Sequence, residues 1–359
     1  MRRVAETAPL TTARRLEEPA YAHKSTAPPE FRDGRTRLDY TQKSTPFIAP
    51  KEMPSLKTTP DEIVRWLGLR FRVPCDWQMV RHSKNPEKGS VVFVDRRRER
   101  LEVHWQDCSN EPDLERMVDN QRSLAKKQDP EAHTEFLRGL GNWRGLRTQS
   151  KGAVLSRAVR FDPKTQRLVD LVVSSSEDED VSDFFPWFCR HVEVEAKGPD
   201  ALRWACFDID LTMPEGYRLR DADIKPCDAS LEFEEVEAEG EARVRRRIRV
   251  RRLGLVDSWY TGDPAGLLRA QSAKLRFNEF TQLTEGTHPA TEGRAVEPTT
   301  LIPRLAGRQV HARVRLWHCE PENALYEVTC SGYRSAPNWP TDLKVHCRPH
   351  DHDPGSREA

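Results

Sequence analysis

His318-Cys319 and His346-Cys347 set two imidazole–thiol pairs near the C-terminal end of a 359-residue chain, and His350, Asp351 and His352 follow closely. Imidazole and thiolate suit zinc, and His318, Cys319, His346 and Cys347 supply the four ligands of a tetrahedral ion if their two segments are neighbours in space. Their spacing matches no standard zinc finger, and a polar tail accounts for His350 to His352 equally well. The sequence contains no glycine-rich phosphate loop, no His-Glu-x-x-His, no Cys-x-x-Cys and no Gly-x-Ser-x-Gly elbow. The expectation is therefore a protein without catalytic residues and without a cofactor, zinc being the one ion that the residues admit.

Two charged stretches invite a binding role. In "ASLEFEEVEAEGEARVRRRIRVRRL" a hairpin folded about Glu239-Gly240 sets Glu232 opposite Arg247, Glu234 opposite Arg245 and Leu231 opposite Ile248. Such a ladder of cross-strand ion pairs contributes roughly 0.2 to 1 kcal/mol per pair. Arg243, Arg249, Arg251 and Arg252 are left over once the glutamates are paired and form a candidate docking strip, with nucleic acid as the alternative occupant. The second stretch is "SSSEDEDVSD", where Glu177, Asp178, Glu179 and Asp180 read either as a solvated loop or as an acidic dock for a basic partner. Lys and Arg number 58 against 57 Asp and Glu, so no global field draws the chain to nucleic acid or to an anionic membrane.

The elements that would position these residues fall into regions. Residues 1–58 are rich in Pro, Thr, Arg and Lys without sustained periodicity and read as an extended or disordered arm. Tyr21, Phe31, Tyr40, Phe47 and Ile48 are its candidate anchors for a partner. At Thr58 a helix-start signal appears, and Ile63, Val64, Trp66 and Leu67 read as the apolar face of a short helix ended by Gly68. Beyond it the chain repeats itself. Pro60-Asp61 aligns with Pro199-Asp200, Arg65-Trp66 with Arg203-Trp204, Pro74 and Trp77 with Pro214 and Tyr217, and Cys189-Arg190 with Cys347-Arg348. The offsets rise almost steadily along the chain, which implies two copies of one domain, residues 59–197 and 198–349, followed by a polar tail at 350–359.

Within each copy the order reads as strand, hairpin, helix, more strands and a terminal helix-like segment. Phe207, Ile209, Leu211 and Met213 alternate with polar residues as a half-buried strand does. "EPDLERMVDNQRSLAKK" and "GDPAGLLRAQSAKLRF" carry helical spacing, and "VLSRAVRF", "RLVDLVVS", "QVHARVRLW" and "ALYEVTCS" read as strands. The expected fold is α+β, each copy an antiparallel-sheet sandwich covered by helices. Phe71, Val73, Pro74 and Trp77, with the hairpin ending in Leu101-Glu102-Val103-His104-Trp105, give each copy a layout that resembles the PsbP/Mog1-like family. The resemblance implies a largely non-enzymatic assembly or accessory factor, and it brings no catalytic residues with it.

Eight cysteines lie singly in the sequence, and Cys75, Cys189, Cys206 and Cys330 read as small buried side chains. No apolar run reaches the roughly 18 to 20 residues of a membrane span, and "MRRVAETAPL" lacks the apolar stretch of a secretory signal, so the expected location is cytoplasmic. Together these features predict a non-catalytic structural or adaptor subunit that binds protein partners in a larger assembly, with a zinc-dependent binder or enzyme as the alternative.

Overall fold

A computed structural model of the chain describes residues 61–179, 181–195, 202–225, 227–235, 246–271, 274–298, 309–333 and 337–347. All of them belong to one compact unit, Met53–Ala359. The fold starts with a hairpin of β1 (Asp61–Trp66) and β2 (Leu69–Pro74), where a helix was expected. Leu67 and Gly68 both take positive φ, 49° and 79°, as a two-residue type I′ turn requires. Val64 and Trp66 are buried while Ile63 and Arg65 are half-exposed, so the apolar residues follow a period of two and not 3.6.

The first half continues with β3 (Gln78–His82), β4 (Lys88–Val94), β5 (Glu99–Asp107), α1 (Leu114–Gln128), β6 (His133–Leu137), β7 (Arg144–Ser150), β8 (Ala153–Asp162), β9 (Arg167–Ser176), α2 (Phe184–Arg190) and β10 (Glu193–Val194). The second half runs β11 (Leu202–Cys206), β12 (Ile209–Met213), β13 (Tyr217–Lys225), β14 (Asp228–Glu235), β15 (Arg246–Gly254), α3 (Pro264–Gln271), β16 (Arg276–Glu285), β17 (His288–Val296), β18 (Val310–Cys319), β19 (Ala324–Tyr333) and β20 (Lys344–His346). A second I′-type turn, Phe207 (φ 54°) and Asp208 (φ 57°), joins β11 to β12.

Three antiparallel sheets result. Seven strands in the order β3-β4-β5-β9-β8-β7-β6 form one, and β13-β14-β15-β19-β18-β17-β16 form another with the same order. The third, β10-β2-β1-β11-β12-β20, is built from both halves. Its seam pairs Arg65 with Ala205. Continuing that register by one residue sets Trp66 opposite Trp204, so the Arg-Trp stretch that the sequence states twice meets itself here, with ring centroids 5.6 Å apart.

The expected α+β sandwich covered by helices is thus corrected to a sheet-dominated fold. Only three α-helices occur among the described residues, and the longest, α1, covers part of one sheet. The hairpins β6–β7 and β16–β17 add four strands to those named from the sequence, and β16 begins at Arg276-Phe277, the end of a stretch expected to be helical. The terminal segment of the second half is the short strand β20 and not a helix.

One apolar core joins all three sheets. Alternate residues of the shared sheet point into it, Val64, Trp66, Phe71 and Val73 from the first half and Trp204, Ile209, Leu211 and Met213 from the second. Phe71 packs edge-on against Phe93 of β4, and Trp204 against Phe233 of β14. Burying such an aromatic side chain contributes about 2 to 3 kcal/mol. The turn of the first hairpin is pinned as well, because the buried Arg167 donates to the carbonyls of Leu67 and Pro86, each at 2.7 Å, and to Asp107 at 3.0 Å. On the opposite face of the first seven-stranded sheet, α1 is capped by Asp113, which accepts from Arg116 N. The helix lays Leu114, Met117 and Val118 on Leu146 and Val159.

Candidate functional site

Neighbouring residues of a strand point to opposite faces, and this decides the fate of the two His-Cys pairs. Cys319, the last residue of β18, faces the core, whereas His318 turns to the other face and packs its ring 5.8 Å from that of Tyr260. Cys347, directly after β20, faces the core, whereas His346 lies 3.3 Å from the Thr212 hydroxyl. The two cysteines converge and the two histidines do not. A third ligand-type residue joins the cysteines instead: the ligand atoms of His288, Cys319 and Cys347 all lie within 4.8 Å of one another.

The approach of His288 follows from strand register. Ala290 of β17 pairs with Trp317 of β18, and two residues further along the same register His288 lies across from Cys319. The segment that delivers Cys347 is held to the same sheet by Trp339, whose indole nitrogen donates to Glu292 at 2.7 Å and whose ring lies 4.4 Å from the Arg315 guanidinium. Glu292 is buried and also accepts from Arg313 and Arg315, so its charge is compensated. Its carboxyl stays below the usual range because these donors outweigh the burial.

Cys319 is fully buried, and Cys347 and His288 nearly so. Burial raises the Cys319 thiol above its ordinary value and pushes Cys347 up to about 12, with the Glu322 carboxylate adding to both. Both are neutral thiols at pH 7 in the absence of a cation. The Trp317 indole opposes the rise at Cys347, and its buried nitrogen has no oxygen or nitrogen acceptor. Tyr326 closes the floor, donating to Glu322 and lying 3.4 Å from the Asp208 carbonyl of the second hairpin turn. Imidazole with two thiols can hold a zinc or copper(I) ion or, with an oxidant, a disulfide. Reading His288 from sequence requires knowing that β17 exists and how it registers with β18, and the Pro289 beside it hides the strand.

The charged stretches are arranged differently from the sequence expectation. In the β14–β15 hairpin Glu232 pairs with Arg249, Glu234 with Arg247 and Phe233 with Ile248, two residues away from the expected register. A slip of two keeps every side chain on its expected face. The ladder nevertheless forms with the other neighbour, as Arg218 of β13 holds Glu234 and Arg220 holds Glu232. The arginine strip is divided between faces. Arg249 reaches Ser230 at 3.4 Å, Arg251 grips Asp228 through two nitrogens at 2.7 and 2.6 Å, and Arg252 on the other face lies 3.4 Å from Asp208.

In the acidic loop Glu177 accepts from Gly152 N, Asp178 is exposed, and Glu179 folds inward onto Arg100. A shallow polar depression lies beside them, lined by Arg147, Gln149, Val154 and Ser182. Cys189, Cys206 and Cys330 are buried as expected, but Cys75 is exposed. Arg243, Asp180 and the arm anchors Tyr21, Phe31, Tyr40, Phe47 and Ile48 lie outside the described residues. No helix among the described residues is long and apolar enough to cross a membrane.

No protein-family model matches the chain, and no curated protein does. Among solved structures it is similar to the apo structure of the immunity protein TplEi of T6SS from Pseudomonas aeruginosa, at 10% identity and a TM-score of 0.33 over 76% of this chain and 97% of that one. It is also similar to TplEi complexed with "L" peptide, at 11% identity and a TM-score of 0.32 over 75% and 91%. A chain of the Tle4-Tli4 complex matches at 10% identity and a TM-score of 0.31 over 72% and 86%. Likeness at this level carries no argument about what this chain binds.

Proposed function

We propose that this chain is a non-catalytic binding protein that holds a protein partner against two similar sheet surfaces in fixed relation. The observation that carries this reading is the shared sheet: β1 pairs with β11, and the strand orders on either side of the seam repeat. Pairing backbone to backbone removes the free rotation that a linker would allow, so a partner touching both halves binds the second at high effective concentration. The two seven-stranded sheets end in β6 and β16, each paired on one side only among the described residues. Edge strands of this kind accept an added strand from a partner, and the polar side chains of β16 limit pairing with itself. Divergent loops on this common frame, acidic at Glu177 and Asp178 in the first half, make the two surfaces unequal. The reading also takes the repeat as an ancestral duplication that kept its frame and varied its loops.

The test is reconstitution with a purified partner captured by the full-length chain. Cross-links from Lys84 and Lys88 in one half and from Lys225 and Lys274 in the other to a single partner molecule are expected. Trp66→Ala at the seam should weaken a partner that spans both halves by roughly 100-fold while leaving contacts to either half alone. A partner confined to one half, with unchanged affinity for the seam variant, overturns the two-surface reading. Turnover of a small molecule by the purified chain overturns the non-catalytic one.

A further inference from the structure

We propose that Cys319, Cys347 and His288 bind one zinc ion, which staples the end of β20 to the sheet of the second half. The proposal is independent of the partner-binding reading. Three separate stretches of chain bring these residues together, the start of β17, the end of β18 and the residue after β20, so an ion held by all three is a cross-link. Tetrahedral zinc with Zn–S near 2.3 Å and Zn–N near 2.0 Å needs ligand atoms about 3.5 to 3.8 Å apart. The three atoms already lie within 4.8 Å of one another, so closure asks for movements of about 1 Å or less.

Charge and hydrogen bonding point the same way. Zinc binding releases one proton from each thiol to solvent and forms two Zn–S bonds, and two thiolates neutralise the divalent cation. A site with no net charge suits a place where Cys319 is fully buried. The buried Trp317 indole N–H, which has no oxygen or nitrogen acceptor and bears on the Cys347 sulfur, has a charged thiolate to donate to when the ion is bound.

The equivalent place in the first half is built from different residues. Asp162 pairs with Arg167 as Cys319 pairs with Ala324, and the Arg167 guanidinium occupies its own set of oxygen acceptors. No group of three ligands forms around Cys189 among the described residues. The second half lacks that arginine and carries the soft ligands instead.

The full-length chain, purified under reducing conditions without chelator, should carry one zinc per molecule by elemental analysis. After chelation the metal-free chain should take up one zinc in titration, with a rise of several degrees in its unfolding midpoint. Cobalt(II) in place of zinc should give thiolate-to-metal charge-transfer absorption, a readout that needs no substitution. Cys319→Ser and Cys347→Ser should each weaken zinc by at least about 100-fold, and His288→Ala and Trp317→Phe by about 10- to 100-fold. Cys330→Ser, a buried cysteine outside the trio, should leave binding intact. A reduced chain that takes up neither zinc nor cobalt overturns the proposal, as does zinc retained by the Cys319→Ser/Cys347→Ser double variant. A Cys319–Cys347 disulfide in freshly purified chain, with no metal bound after reduction, overturns it in favour of a redox pair.

Discussion

The Glu179 carboxylate accepts from two nitrogens of Arg100 at 2.6 and 2.8 Å and from Ser176 N at 3.0 Å, while Arg100 also holds Asp95. Both side chains of the Arg100–Glu179 pair are under a tenth exposed. The Arg100 hydrogen bonds outweigh the cost of burial and bring Glu179 from an ordinary 4.5 down to about 2. A depressed carboxylate contributes stability that is fully present above about 4.5 and is lost as pH falls toward about 2. Glu179→Ala leaves a buried guanidinium short of its partner and should cost about 3 kcal/mol at neutral pH. Denaturant melts should show that cost, together with a flatter acid limb than the parent chain. This residue-scale arrangement was hidden in the sequence, where Glu179 looks like its exposed neighbour Asp178. Cys319 and Cys347 were legible because residue type alone marks them. His288 was not, because only register brings it to them.

Elements were legible where one face is buried and the other is wet. β9 alternates throughout and β8 and β18 do so over most of their length, whereas β19 is buried on both faces from Ala324 to Val328 and was legible from its apolar run; the sequence spans expected for all four agree with the strands that form. β16 is an edge strand, its partly buried Phe277, Phe280 and Leu283 fall three apart, and a bulge between Phe277 and Glu279 breaks the alternation. That spacing imitates a helix. At the chain start the helix-cap signal at Thr58 competes with the two-residue turn at Leu67-Gly68, and the turn prevails because it places Val64, Trp66, Leu69 and Phe71 together in the core. The turn depends on Gly68 at φ 79°, with Arg167 Nη1 only 3.3 Å from where a Cβ would stand. Gly68→Val should cost about 2 kcal/mol, and Gly68→Asn distinctly less, because Asn tolerates the left-handed region. Thermal unfolding of the two variants beside the parent chain gives the order.

At the scale of the molecule the seam decides whether the halves behave as one body. Trp66 is 1% exposed and touches Trp204, Phe207 and His82, so it is shared by both halves. Trp66→Ala should cost about 3 to 5 kcal/mol and split a single unfolding transition into two. Calorimetry would resolve them. His82 gives the same seam a dependence on pH. Its ring packs edge-on against Trp66 at 5.1 Å and lies 6.0 Å from Phe207 across the seam, while Lys84 beside it binds Asp221 of the other half at 2.7 Å. Burial lowers the His82 pKa below its ordinary 6.5; the hydrogen bond with the Ala222 backbone offsets part of this, Lys84 lowers it further and Asp221 opposes more weakly. Between that depressed value and 6.5 the unfolded chain binds more protons than the folded one, so stability rises with pH across this window. Acidification from pH 7 therefore weakens the fold at the seam once the imidazole of the unfolded chain begins to charge. Urea midpoints measured between about pH 5 and pH 7.5 should fall on the acid side, and His82→Gln, which cannot charge, should reduce that slope. If the seam is where the protons act, the parent chain at low pH should also show the two transitions expected of Trp66→Ala, and the His82→Gln chain should keep one.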